Sequence, residues 1–348
     1  MSAKNTIEID LYSDTQTKPS KAMRDAMATA EVGDEQQGRD PTVGKLLERV
    51  AGLLGKEDAL FLPSGTMCNQ IAVLVHCRPG DEVICDRTSH LVNSEGGGAA
   101  ALAGVMMHGL DGARGVYSAA QAEAAIRPET NYAPRSRLIE IEQTANLGGG
   151  AVWPLDTIRA VAAVAKKRHL STHMDGARLM NAVVASGVAA KDYARDMDTV
   201  WLDLTKGLGC PLGAVLAGPK PFIKECWRWK QRIGGSMRQA GIVAAAGLYA
   251  LDHNVERLAE DHANAKALAK GLAGVPGIAV EPVETNIVFL DISKTGIKGH
   301  DFNQALAQHG VRLSVTNDTR IRALTHLDIP ASAIPKAVDA IRRVAMRN

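Results

Sequence analysis

With 348 residues, 46% of them hydrophobic and 22% charged, the chain has the makeup of an ordinary globular protein and is too long for one simple core. Its 40 basic residues nearly balance 38 acidic ones and only 4% are aromatic, which excludes a strong field for nucleic acid or an anionic membrane and excludes a base-stacking surface. There is no apolar run of membrane-spanning length, no apolar signal core in MSAKNTIEIDLYSD, and no metal-ligand spacing among Cys68, Cys77, Cys85, Cys210 and Cys226, so the expectation is a cytoplasmic protein with reduced thiols and no bound metal.

From about residue 43 to residue 250, helical and strand-like segments alternate. VGKLLERVAGLLG is amphipathic and ends at a glycine, as a helix should. DALFLPS is strand-like, and TMCNQIAVLVHC returns to helical spacing. DEVICD and RLIEIEQT are strands; PLDTIRAVAAVAKKRH is a helix with proline near its start and basic residues at its end. LSTHMD and TVWLDLT are strands, and CPLGAVLAG is another. Strands separated by helices of this length predict a mostly parallel α/β sheet covered on both faces. GLYALDHNVERLAEDHANAKALAKGLAG then reads as one or two long helices. Beyond it, GIAVE, NIVFLDI, VRLSVT and RIRALTHL alternate with the helices DFNQALAQHG and SAIPKAVDAIRRVAM, the pattern of a small α+β domain. The predicted division is an N-terminal segment (1–15), a large domain (16–252) and a small C-terminal domain (253–348).

Ligands of open α/β sheets collect beyond the carboxyl ends of the strands, and three such ends carry chemistry. In FLPSGTMCN, Ser64, Gly65 and Thr66 offer hydroxyls and N–H groups at a helix N-terminus, which suits a phosphate or a plain cap. HMDGAR ends a strand with Asp175, followed by Arg178. DLTKGLG places the amine of Lys206 where a core strand ends, either because the strand meets water there or because the amine is used covalently. A lysine for an aldehyde, a carboxylate for a pyridine nitrogen and an anion cradle together fit one ligand, pyridoxal phosphate.

These stretches sit in an order that resembles the threonine aldolases, within the fold type I pyridoxal-phosphate enzymes. IDLYSDTQTKPS, VGDEQQGRDPTV, ALFLPSGTMCNQIA, SHLVNSEGGGAA, HMDGARLMNA, DLTKGLGCPLGAVLAG, GGSMRQAGIVAAAGLYAL and IRALTHLD carry the resemblance, from about residue 9 almost to the end. It implies a seven-stranded large domain of the aspartate aminotransferase type, a homodimer or homotetramer with interfacial active sites, and cleavage of L-β-hydroxy-α-amino acids to glycine and an aldehyde. Another reaction of the same cofactor at Cα or Cβ (racemisation, transamination, β-elimination or condensation) is the alternative. The implied roles are Lys206 for the covalent link, Asp175 for the ring nitrogen, and His90 over the ring face. Ser64, Gly65 and Thr66 would hold the phosphate; Ser13, Arg178 and Arg322 would hold the substrate carboxylate; Arg238 would be a phosphate or interface contact. Three positions depart from the family: Ala145 where many members carry histidine, Gln37 in place of a tyrosine, and Tyr12 in place of an arginine. The small Ala145 is expected to leave room for a bulky substrate side chain.

Overall fold

The computed structural model describes residues 6–347. Its strands, in chain order, are β1 (Ile9–Asp10), β2 (Asp58–Leu62), β3 (Asp81–Asp86), β4 (Met106–Leu110), β5 (Arg135–Glu142), β6 (Ser171–Gly176), β7 (Thr199–Asp203), β8 (Ala214–Gly218), β9 (Ala279–Val280), β10 (Ile287–Asp291), β11 (Val311–Arg312), β12 (Ser314–Val315) and β13 (Arg320–Leu324). Seven of them form one sheet in the order β2-β8-β7-β6-β5-β3-β4. Its pairings are parallel from β7 through β4, whereas β8 runs antiparallel to both of its neighbours, β2 and β7. The mostly parallel α/β sheet predicted from the alternation is therefore the sheet that forms.

Local chemistry sets the element ends. The helix Pro41–Leu54 starts on Asp40, whose carboxylate accepts from the N–H groups of Thr42 and Val43 at 3.1 and 3.0 Å, and it stops at Gly55 with φ +63°. Ser64 caps the helix Gly65–His76 by accepting from the N–H of Met67. Gly65 has a second reason to be glycine: a Cβ there would lie 2.2 Å from Cη2 of Trp201. Gly65→Ala should therefore lower stability by about 1–3 kcal/mol, the usual cost of overpacking, read as a lower denaturant midpoint at unchanged slope.

A second sheet, β12-β13-β10-β9, is antiparallel. Its apolar cluster includes Val288, Leu290, Ile321 and Ile341, and also Ile9 and Leu11 from the start of the chain, because β1 pairs in parallel with β11. The long segment after residue 241 resolves into two helices, Gly241–His253 and Leu258–Leu272. The second spans both cores: Leu258 packs in the large cluster, and Ala265, Leu268 and Leu272 pack in the C-terminal one. All five cysteines are buried and free, and no helix among the described residues is long and apolar enough to cross a membrane.

Two strand readings need correcting. TVWLDLT pairs only as far as Asp203, and Lys206 lies beyond it, in a short 3-10 turn with φ +51°. That left-handed conformation costs a non-glycine residue about 1–3 kcal/mol and is found where the surroundings enforce it. The strand β4 was not read from the sequence, since MMHGL is half-exposed and carries no clean alternation.

Candidate active site

A cavity of about 600 Å³ opens beyond the carboxyl ends of β5, β6 and β7 and is closed from the other side by the C-terminal sheet. Every sequence-predicted site residue lines it except Arg238, whose exposed guanidinium instead pairs with Asp34 at 2.9 Å.

Asp175 lies at the end of β6, fully buried. Its Oδ1 accepts from the N–H of Ala177 at 2.9 Å and its Oδ2 from the amide of Asn69 at 2.8 Å. Burial raises its pKa, opposed by His90, by the Asn69 hydrogen bond and by Lys206. On the neighbouring strand, Asp203 receives Lys206 Nζ as an ion pair, and Thr17 Oγ1 donates to the Lys206 carbonyl at 2.7 Å. Lys206 is thereby held over the Trp201 ring, its amine 5.7 Å from the ring centroid.

His90 enters from the turn after β3. Its Nδ1 meets Glu95 Oε1 at 2.9 Å, and its backbone N–H donates to Glu142 at 2.6 Å. One ligand atom each of His90, Glu95 and Asp175 lie within 4.8 Å of one another. Burial lowers the imidazole pKa, but the hydrogen bond to Glu95 and the charges of Asp175, Glu95 and Glu142 outweigh it, and the net shift is upward. Glu142 also accepts from the Asn146 N–H at 2.6 Å; burial and the charge of Asp175 push its pKa up to about 7 against those two donors.

The opposite wall is cationic. Arg178 donates through Nε and Nη2 to Asp14 at 2.7 Å each, a buried bidentate pair that holds the Asp14 carboxyl well below the usual range. Its third nitrogen reaches Asn146 Oδ1 at 3.4 Å. Arg322, on β13, donates to the same Asn146 oxygen at 2.8 Å, makes no ion pair among the described residues, and its Nε is buried without any partner. Burial and the nearby Arg178 lower its pKa to about 10. Ser13 is nearly buried beside this wall and accepts from Thr15 at 2.8 Å.

Glu95, Glu142, Asn146, Asp14 and Asn69 were not singled out in the sequence, because a lone acid or amide has no local signature. Ala145, by contrast, does not line the cavity. It is 3% exposed, and its Cβ would stand 2.8 and 3.0 Å from a Cβ at Gly115 or Gly148, so it faces those two turns. The room it leaves is filled by backbone. Gln37 lies exposed outside the cavity lining, and Tyr12 stacks under Arg312, 4.8 Å from its ring centroid to the guanidinium carbon.

The residues present fit pyridoxal phosphate. An amine, a buried carboxylate and the capped start of a 12-residue helix converge on one cavity, which also holds an unpaired guanidinium. This fold and this donor set are those of a pyridoxal-phosphate enzyme, and the chain belongs to the beta-eliminating lyase family, whose model it matches over residues 10–295. Within it, the chain is similar to the low specificity L-threonine aldolase of Escherichia coli (strain K12), 40% identical over 92% of this chain and 94% of that one. It is also similar to a probable low-specificity L-threonine aldolase of Arabidopsis thaliana, 42% identical over 92% of each chain. Its fold matches a threonine aldolase of Leishmania major with a TM-score of 0.83 over 97% of this chain and 99% of that one, at 21% identity.

Proposed function

We propose that the chain is a pyridoxal-phosphate-dependent aldolase that cleaves L-β-hydroxy-α-amino acids of the threonine and phenylserine type to glycine and an aldehyde. One observation carries the substrate class: Arg322 is a largely buried cation with a free Nε and no carboxylate partner, facing the same cavity as Lys206 and Asp175. An α-carboxylate would complete it. The 40% identical relatives named as threonine aldolases support the reaction.

When bound, the cofactor supplies an aldehyde for amines and an electron-withdrawing ring for charge at the substrate Cα. Lys206 is the residue that would hold it covalently, Asp175 its ring nitrogen, and Ser64, Gly65 and Thr66 its phosphate. Arg322 grips the substrate carboxylate with two parallel N–H groups and fixes the direction of the Cα bonds. Asn146 sets the angle of that grip by accepting from Arg322, and Asp14 holds Arg178 beside it. His90 has Nδ1 committed to Glu95, which leaves Nε2 to take the β-hydroxyl proton. The reading extends to a homodimer or homotetramer in the cytoplasm, for which light scattering after size exclusion is the test of assembly.

Incubation with L-threonine and L-phenylserine should release glycine and the matching aldehyde from both. Borohydride should trap pyridoxyl on Lys206, located by peptide mapping. Pyridoxyl on a different lysine would overturn the site, and amino-acid turnover without aldehyde would overturn the reaction.

A further inference from the structure

Behind Asp175, a row of buried polar groups crosses the interface between the sheet and the helix Gly65–His76. His173 and Asp175 point to one face of β6, and the register sets them opposite Thr199 and Trp201 on β7. Asn69 and His76, two turns apart on the helix, pack onto that face. Asn69, His173, Asp175 and Thr199 are fully buried and Trp201 is 2% exposed.

With both histidines neutral, one arrangement of protons makes all of the short hydrogen bonds among these groups; the only other acceptor for the Thr199 hydroxyl among the described residues is the Thr172 carbonyl, at a longer 3.5 Å. An indole N–H can only donate, so the Asn69 atom 2.7 Å from Trp201 Nε1 is the amide oxygen. The amide nitrogen therefore faces the acids, donating to Asp175 at 2.8 Å and to Glu95 at 2.6 Å, one hydrogen for each carboxylate. The second lone pair of the amide oxygen meets His173 Nε2 at 3.1 Å, which must carry a hydrogen. Burial holds His173 neutral, with its pKa down at about 3, so its Nδ1 is bare and takes the Thr199 hydroxyl proton at 2.8 Å. Thr199 Oγ1 in turn accepts from His76 Nε2 at 2.9 Å, and burial lowers the His76 pKa to about 4.

We infer that Asn69 is a positioning residue that aims two carboxylates at once, Asp175 toward the cofactor ring nitrogen and Glu95 toward His90, and that the row His173–Thr199–His76 locks the amide in the orientation this requires. The Asp175 half of this role rests on the pyridoxal-phosphate reading; the locked proton arrangement does not. Without the amide, two adjacent buried carboxylates would lose a shared donor pair and repel.

The first experiment uses unsubstituted protein, freed of cofactor, labelled with 15N-histidine. His173 and His76 should both titrate as neutral rings with the hydrogen on Nε2 throughout pH 6–9. A charged His173, or one with its hydrogen on Nδ1, overturns the lock. The second compares Asn69→Leu, His173→Phe and His173→Gln, the last of which restores an N–H donor to the Asn69 oxygen. Asn69→Leu and His173→Phe should lower kcat by about 10–100-fold, the range for outer partners of a functional group, with the amino-acid KM within about twofold and a shifted cofactor absorption band. His173→Gln should recover most of the loss. Folded Asn69→Leu with unchanged kcat and spectrum overturns the positioning role, as does a His173→Gln no better than His173→Phe. Should Asn69→Leu fail to fold, Thr199→Val tests the same lock from its far end, where an unchanged spectrum and kcat would again overturn it. A chain that binds no pyridoxal phosphate would defeat the functional reading and the role of Asp175, while the histidine spectra would still decide the lock.

Discussion

Turnover of L-threonine should fall by about 10²–10⁴-fold in His90→Asn, the usual contribution of a positioned acid or base, while the covalent trapping of cofactor on Lys206 persists. The separation is expected because His90 is anchored apart from the cofactor lysine: its Nδ1 meets Glu95 and its backbone N–H meets Glu142, whereas Lys206 pairs with Asp203. The pH profile gives a second measure. The net shift of the His90 pKa is upward from 6.5, so its proton-accepting form is lost at a higher pH than for an ordinary imidazole as the solution is acidified. The acid limb of kcat/KM should therefore lie above 6.5. Glu95→Gln removes the hydrogen-bonded charge that raises the pKa, and should move that limb to lower pH. Full turnover in His90→Asn, or a limb indifferent to Glu95→Gln, would place the base elsewhere.

Arg322→Lys should weaken transition-state binding by about 2–5 kcal/mol, the range for losing one partner of a buried, hydrogen-bonded charge pair, although the charge is kept. Lysine lacks the planar fork, and it cannot both satisfy Asn146 Oδ1 and present two parallel N–H groups to a carboxylate. The measurement is kcat/KM for L-threonine together with glycine affinity. Unchanged values in both would mean that the unpaired guanidinium is not the carboxylate site. Arg178→Lys should act differently, since its fork is already engaged by Asp14. The damage there should show in thermal stability as well as in kinetics.

What could be read from the sequence was whatever is local. The run HMDGAR names its strand, its carboxylate and its arginine within six residues, and Ser-Gly-Thr announces the cap that Ser64 makes. Six of the seven strands of the large sheet follow from the same logic, as apolar runs bounded by turn residues, whereas the half-exposed edge strand β4 does not. What escaped depends on distance along the chain. Asp14 meets Arg178 across 164 positions and Asn69 meets Asp175 across 106, so nothing beside either residue marks it. Ala145 shows the reverse failure. A small residue suggested space in the substrate pocket, but two glycine turns pack against it, and only the fold shows which side of a residue is empty.

The pairing of β1 with β11 also bears on how the protein is made. Asp10 ion-pairs with Arg312, 302 positions further on, so residues synthesised first wait for a partner synthesised near the end. At ribosomal speeds of about 5–20 residues per second, that wait is on the order of 15–60 s. During it the apolar Ile9 and Leu11 have no core of their own. Asp14, four residues beyond β1, cannot take its place between Arg178 and Asn286 until the C-terminal sheet has formed. The large sheet can therefore be complete on a nascent chain that still lacks a working cleft, and the last hundred residues decide when the enzyme first becomes competent.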